Sequence, residues 1–366
     1  MKIVIRELRI WPFELPLTRR VVVSGHSLQQ RAGLILGLID DKGAIHYGEA
    51  APLPGVHSEN IECCRSEALV LRSRLVGRSL SLDDFSWDLN HLGLIDDLGF
   101  LSPASSFALE QALLSMAIRY GRLPQLGEKS HGVASIPVPC AGLIDVASRP
   151  SLEAVAHEYN SYLKLGARSV KFKVGHLPLI SDIEGLLALR DRGGARFRLD
   201  AGRKLSAQAF RELRAGLRGL DIEFFEEPLG DFALSETEAV RDPYPLALDE
   251  WFWDRDIDHD TTASFYVLKP SRLGGISRTV RWIHRAQQKG AQIILSSCYD
   301  TGLAMMTYAY LCEYFHLGSH DMGLGTYPML AQDVLEHRLC LAPGMNFIPV
   351  PDEDLILNKR VLGSEF

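Results

Sequence analysis

The chain has 366 residues, 46% hydrophobic and 23% charged, with a formal net charge of −7. That apolar fraction supports a large core, and the length exceeds one eight-unit barrel by about a hundred residues, so a second domain is expected. The acidic balance excludes a nucleic-acid footprint, and no apolar stretch approaches the roughly 20 residues that span a bilayer.

Charges within Met1-Lys2-Ile3-Val4-Ile5-Arg6-Glu7 break up any export signal. Six cysteines without a C-x-x-C pair read as reduced thiols, with Cys63-Cys64 as packing, so a cytoplasmic location is expected. Strands are expected at Ile3–Ile10, Val21–Val23 and Gly33–Ile39. Asp40-Asp41-Lys42-Gly43 then turns the chain back into Ala44–Tyr47 as a hairpin. Gly48–Gly55 reads as loop. Ser58 is placed to cap a helix running to Val76, and Ser106–Tyr120 presents a second apolar face. Residues 1–125 therefore read as an α+β module, with a polar boundary over 122–135.

Beyond it, Ile136–Ala141 is expected to be the first of a new series of strands, and barrel units fill 133–330. Five further runs end in a charge: Val170–Lys173, Phe197–Asp200, Ile222–Glu226, Pro245–Asp249 and Phe265–Lys269. Gln292–Ser297 closes the series. From Lys173 the steps are 27, 26, 23, 20 and 27 residues, the length of one strand–loop–helix–loop unit. Helical patterns at 151–165, 180–191, 206–218, 235–241, 275–289 and 301–316 alternate with these strands, which specifies a parallel sheet with right-handed crossovers. The eighth strand is expected in 317–324. The tail, 331–366, carries Pro343, Pro349 and Pro351 and is expected to return to the N-terminal module.

A charge that ends a buried strand sits at the mouth of such a barrel, where its active sites lie. Asp200, Glu226 and Asp249 end three successive strands. Carboxylates crowded there repel one another unless a cation neutralises them, and all-oxygen ligation favours a hard ion: Mg2+, with Mn2+ as its substitute. Lys171 and Lys173 point to one face of their strand, where each ammonium lowers the other's pKa and favours one neutral amine. Lys269 lies across the ring. A solvated edge strand, Val170 and Phe172 inward, is the competing reading of the first pair. The whole set suits removal of a proton next to a carboxylate, with the ion and Lys269 stabilising the enediolate.

These residues resemble the enolase superfamily and, within it, the muconate-lactonizing subgroup. Lys171-Phe172-Lys173 is similar to that subgroup's K-x-K motif, and Asp200, Glu226 of Glu226-Glu227-Pro228, and Asp249 to its metal ligands. Lys269 of Leu268-Lys269-Pro270 is similar to its opposing lysine. The resemblance implies an α/β fold: a modified (β/α) TIM-type barrel with an N-terminal α+β capping domain. The segment Tyr47–Gly55, with Arg198-Leu199-Asp200 and Gly323-Leu324-Gly325-Thr326, is most similar to the o-succinylbenzoate synthases. That resemblance implies Mg2+-dependent dehydration of a small succinyl-cyclohexadiene carboxylate in menaquinone biosynthesis. It further implies Lys173, Lys269 and Lys171 as catalytic residues, and Ser296, Ser297, Gly323 and Arg198 as contacts to substrate. Two departures stand out: Gly202 replaces an Asn after Asp-Ala, and Asp300 replaces a Glu.

Other readings use the same residues. An N-succinylamino acid racemase or dipeptide epimerase would pair Lys173 with Lys269 as acid and base. Dipeptide epimerases tend to carry Asp-x-Asp after the last strand, whereas Asp321-Met322-Gly323 has no second Asp. A Schiff-base aldolase would need no metal, and a binding protein on a barrel scaffold would need none of the strand-end groups. Gly274-Gly275 reads as a tight turn, His316 and His320 as helix end and loop, Trp251 and Trp253 as helix packing, and Arg19-Arg20 as a solvated pair.

Overall fold

The computed structural model describes residues 1–83, 87, 99–123, 137–149, 151–231, 244–253, 255, 257, 259, 261–342, 346–347 and 356–366. The helix read at 235–241, most of the linker at 122–135, and Pro343, Pro349 and Pro351 lie outside these residues.

Strands β1 (Lys2–Val23), β2 (His26–Asp40), β3 (Ile45–Ala50) and β4 (Ser79–Ser81) form an antiparallel sheet in the order β3-β2-β1-β4. Helices α1 (Ile61–Leu75) and α2 (Pro103–Arg119) belong to the same module. Alternation along the strands turns Ile3, Ile5, Leu34, Leu36 and Leu38 toward Leu71, Ala108 and Leu113 of the helices, giving the module its own core. The hairpin forms where the turn residues place it. Asp40 Oδ1 accepts from the Lys42 and Ala44 amides, each at 2.9 Å, and Gly43 takes φ +83.

Two expectations in this module are corrected. The loop read from Gly48 starts later, because β3 runs through Ala50. Gly48 serves close packing there: a Cβ would lie 1.8 Å from the Ala108 carbonyl oxygen of α2. The cap of α1 is Asn60, whose side chain accepts from the Cys63 amide at 3.0 Å. Ser58 instead donates to Glu59.

The second unit is a ring of parallel strands. β5 (Val138–Pro139) leads to β6 (Gly142–Asp145), followed by α3 (Leu152–Lys164), β7 (Ser169–Lys173), α4 (Leu179–Leu187) and β8 (Arg196–Asp200). Then come α5 (Ala207–Gly216), β9 (Ile222–Glu226), β10 (Leu246–Leu248), β11 (Phe265–Leu268), α6 (Pro270–Leu273), α7 (Ile276–Lys289), β12 (Gln292–Leu295) and α8 (Gly302–Tyr314). β6 to β12 lie side by side in chain order, all parallel. Met322 and Gly323 close the ring through parallel bridges, Met322 to Cys140 and Gly323 to Ser296. The weak eighth strand is thus a two-residue contact, too short to leave a periodic signal.

The first barrel strand lies later than Ile136–Ala141, of which only the end, Cys140 and Ala141, joins the ring against Met322. Residue 136 lies outside the described residues, and Val138–Pro139 pairs antiparallel with β13 (Asn346–Phe347). β6 is the strand that pairs with β7. Gly142 disguises it in the sequence. A Cβ there would meet the Tyr162 ring at 2.7 Å, so the close approach of α3 demands glycine. Between these elements Phe197 stacks on Tyr159 and on Phe172, with centroids 5.8 and 5.3 Å apart.

The two units meet over a wide front. Val21, Val23 and Leu53 of the first pack on Cys298 and Met329 at the mouth of the second. The C-terminal segment lies along β1: Leu362 bridges Phe13, and the Gly363 amide donates to the Pro12 carbonyl at 2.7 Å. Glu110 of α2 is buried and accepts from the Ser277 amide at 2.8 Å, capping the start of α7. Burial pushes its carboxyl from about 4.5 up to about 7. The folded state therefore keeps a proton that the unfolded chain releases. This contribution is full below the unfolded value and is lost as pH rises through the folded one. Melting temperature is expected to fall between pH values of about 5 and about 8, and to fall less in Glu110→Gln. Equal slopes in the two proteins would contradict the assignment.

Candidate active site

All ten residues singled out in the sequence line one cavity of about 120 Å³ at the C-terminal end of the ring. They are Lys171, Lys173, Arg198, Asp200, Glu226, Asp249, Lys269, Ser296, Ser297 and Gly323. The ladder explains their convergence. Lys173 lies opposite Asp200 and Asp200 opposite Glu226, and one layer deeper Lys171, Arg198 and Phe224 are in register. Asp249, Lys269 and Ser296 directly follow β10, β11 and β12. Val23, Leu53 and Val56 of the capping unit complete the wall.

Lys171 Nζ lies 3.0 Å from Asp200 Oδ2 and 2.6 Å from Glu226 Oε1. Lys269 Nζ is hydrogen-bonded to Asp249 Oδ2. Burial disfavours charge on both lysines, but the adjacent carboxylates outweigh it and raise both above the ordinary lysine range. Lys171 is thus held charged, by the carboxylates across the ladder rather than by its neighbouring lysine. Asp200 is lowered to about 2, its burial overridden by Lys171 and Lys173. Glu226 is pushed up to about 7, by burial first and with Lys171 only partly offsetting it.

The three carboxylates are shared out between the lysines. Among the described residues, no three carboxylate, imidazole or thiol groups stand as a ready-made metal-holding set. The donors nevertheless suit a hard divalent cation. One cationic nitrogen already bridges Asp200 and Glu226. Asp249 Oδ1 is buried with no hydrogen-bond partner, which leaves one acceptor for a further positive group.

Several residues that shape the site carry no signal in the sequence pattern. Glu227 is buried, and its Oε1 accepts from the Asp249 amide at 3.0 Å and the Trp251 amide at 2.8 Å. Arg203 Nε holds its other oxygen at 3.0 Å. Glu227 thus fixes the backbone that carries Asp249. Glu250 lines the cavity, and burial followed by the charge of Asp249 pushes it up to about 8. Trp253, read as packing, also lines the cavity, with Lys269 Nζ 5.6 Å from its ring centroid. Trp251 does pack, against Phe252 and Trp282.

The two departures have local compensations. The Gly202 amide donates to Asp200 Oδ1 at 3.1 Å, so backbone orients the carboxylate where a side-chain amide is missing. Asp300 accepts from the Cys298 amide at 2.9 Å and from Tyr308 at 2.6 Å, which anchors the loop after β12. Ser296 Oγ donates to the Gly323 carbonyl, and a Cβ on Gly323 would come within 2.8 Å of that Oγ. Asp321 faces the other end of the ring: it accepts from the Arg168 and Ser169 amides, at the start of β7.

Residues 154–352 match the family model described as enolase C-terminal domain-like, and residues 5–85 match MenC, N-terminal domain. The chain is 28% identical over 315 residues to o-succinylbenzoate synthase of Aliivibrio salmonicida, covering 84% of this chain and 86% of that protein. It is 27% identical over 357 residues to the chloroplastic protein PHYLLO of Arabidopsis thaliana, covering 84% of this chain but only 20% of that protein's length. A substrate-liganded complex of the L-Ala-D/L-Glu epimerase from Bacillus subtilis superposes with TM-score 0.80 at 22% identity, over 95% of this chain and 97% of that one. An enolase-superfamily member from Roseovarius nubinhibens, complexed with magnesium, superposes with TM-score 0.82 at 20% identity, over 100% and 99% of the two chains. With the enolase C-terminal domain-like model spanning more than half of its residues, on a parallel barrel under an antiparallel cap, this chain belongs to the enolase superfamily.

Proposed function

We propose that the chain is an o-succinylbenzoate synthase, a carbon–oxygen lyase acting on 2-succinyl-6-hydroxy-2,4-cyclohexadiene-1-carboxylate in menaquinone biosynthesis. The observation that carries this reading is a cavity in which strand-end lysines and carboxylates meet under the capping unit. The similarity to o-succinylbenzoate synthase at 28% identity and the MenC N-terminal match support it.

Asp200, Glu226 and Asp249 would hold Mg2+, and Lys171, on its flexible stem, would give up its place between the first two. The ion when bound supplies positive charge to the substrate carboxylate and so acidifies the neighbouring C–H. Lys173 Nζ takes that proton, and the electron pair of the broken C–H bond passes into the carboxylate as an enediolate. Lys269 stabilises this charge from the other side of the ring. Lys173 then returns the proton to the departing hydroxyl on the same face, water leaves, and the ring becomes aromatic. Ser296, Ser297 and Gly323, small and adjacent, leave room for the succinyl arm, and Arg198 meets an oxygen at the cavity floor. The six cysteines are free, in keeping with a reducing cytoplasm. No helix among the described residues is long and apolar enough to cross a membrane.

A second reading, racemisation of N-succinylamino acids or epimerisation of dipeptides, would use Lys173 and Lys269 as an acid–base pair. The fold shared with the Bacillus subtilis epimerase favours it. Against the epimerase stands Asp321, engaged at the start of β7, with Gly323 rather than a second Asp beyond it. Incubating the protein with Mg2+ and the cyclohexadiene acid is expected to produce aromatic absorbance in the ultraviolet. No aromatic product, with loss of optical rotation from succinylamino acids instead, would reverse the choice.

A further inference from the structure

The interior of the ring beneath the site is divided by chemistry. Phe224, Ala247, Phe265, Val267 and Ile294 form an apolar cluster. Against it stands Arg198, 1% exposed, with its guanidinium 5.0 Å from the centroid of the Phe224 ring. A buried cation is costly unless it is paired. Its partner is Glu223, whose Oε2 accepts from Arg198 Nε at 2.7 Å. Arg198 Nη2 is buried and has no hydrogen-bond partner among the described residues, although Arg198 lines the substrate cavity. The outer end of the guanidinium, beyond Nε, therefore has no acceptor among the described residues, in a side chain that lines the cavity.

Glu223 reaches the interior through a fault in the ladder. Phe197 pairs with Ile222 and Arg198 with Phe224, so Glu223 is the extra residue of a bulge in β9. Strict alternation would put it on the side of Phe225, away from Phe224 and Glu226. The bulge turns it inward, where four side chains meet it. Besides Arg198, Ser169 Oγ donates to Oε2 at 2.6 Å, Arg196 Nη2 lies 2.8 Å from Oε1, and His320 Nδ1 lies 2.7 Å from Oε1. Burial alone would raise this carboxyl, but the His320 hydrogen bond and the charge of Arg198 hold it far below the usual range. Both its oxygens are engaged, so it cannot swing away.

We propose that Glu223 is a positioning residue for substrate binding: raised into the ring by the bulge, it holds Arg198 by Nε so that the rest of the guanidinium is presented to an oxygen of the bound carboxylate. This rests on the reading of the cavity as a succinylbenzoate site. Glu223 touches no substrate itself. His320 and Ser169 hold Glu223 in turn, which gives the histidine a role that neither its helix-end neighbourhood nor its spacing discloses.

The test is a double-mutant cycle on the full chain with saturating Mg2+, using o-succinylbenzoate as titrant in calorimetry and recording unliganded melting curves. Glu223→Gln is expected to weaken binding about tenfold or more, since it removes the charge that orders a buried guanidinium. Arg198→Lys is expected to do the same, and the double variant to bind no worse than the weaker single one. Mg2+ affinity is expected to stay unchanged in Glu223→Gln, a readout that general unfolding would move. Fully additive losses, or a lower melting temperature with unaltered binding, would overturn the positioning role. The two readings fail separately. Wild-type protein that binds o-succinylbenzoate with the expected cycle but forms no aromatic product sinks the synthase and keeps this role. A working synthase whose KM is untouched by Glu223→Gln does the reverse, and wild-type protein that does not bind the titrant ends both.

Discussion

Lys173→Ala is expected to lower turnover by about 10²- to 10⁴-fold, the usual share of a positioned general base, while the protein stays folded. Lys173 is the last residue of β7, held between Asp145 of β6 and Asp200 of β8. The packing of β7 comes from Val170 and Phe172, both fully buried, so alanine at the strand end removes chemistry and little core. Lys173→Arg makes the comparison sharper. It keeps the positive charge but cannot give up its proton near neutral pH, so it is expected to be as inactive as alanine. Substantial activity in the arginine variant would reassign Lys173 to electrostatic support, and ordinary activity in the alanine variant would remove it from the mechanism.

Asp249→Ala is expected to weaken Mg2+ binding by about 100-fold or more, beyond what loss of an outer-shell partner costs. Asp249 has one oxygen on Lys269 and one buried without a hydrogen-bond partner. The substitution also strands Lys269, whose charge is sustained by that carboxylate, and leaving a buried charge unpaired costs about 3–5 kcal/mol. Local backbone is spared, because Glu227 grips the Asp249 amide rather than its side chain. Asp249→Asn, nearly the same shape, separates the two effects. Titration calorimetry is expected to show the metal lost in both variants, with a smaller fall in melting temperature for asparagine. Retained Mg2+ affinity in either would mean that the ion sits elsewhere.

The reach of the sequence has a physical boundary. Strand-end charges at a 20- to 27-residue period were legible because a buried parallel strand leaves no other place for them, and Lys173, Asp200 and Glu226 stand in register as that logic requires. Features set by contact between distant segments were not. Gly142 looks like a strand breaker until the Tyr162 ring is seen against it. The eighth position of the ring has two residues, Met322 and Gly323, too few for a period. Glu227 holds a backbone amide 22 residues away, and nothing in its own neighbourhood marks that. That Lys171 is the charged member of the Lys171 and Lys173 pair was not legible, because neighbours along the strand say nothing of Asp200 and Glu226 across the ladder. A bulge such as that at Glu223 breaks the very alternation from which side-chain direction is read.

The most direct measurement is a crystal structure with Mn2+ in place of Mg2+ and o-succinylbenzoate bound, the ion located by its anomalous scattering. The expected map shows one ion within reach of Asp200, Glu226 and Asp249, with the amines of Lys173 and Lys269 on opposite sides of the ligand. An ion bound away from those carboxylates, or both amines on one flank of the ligand, would contradict the account.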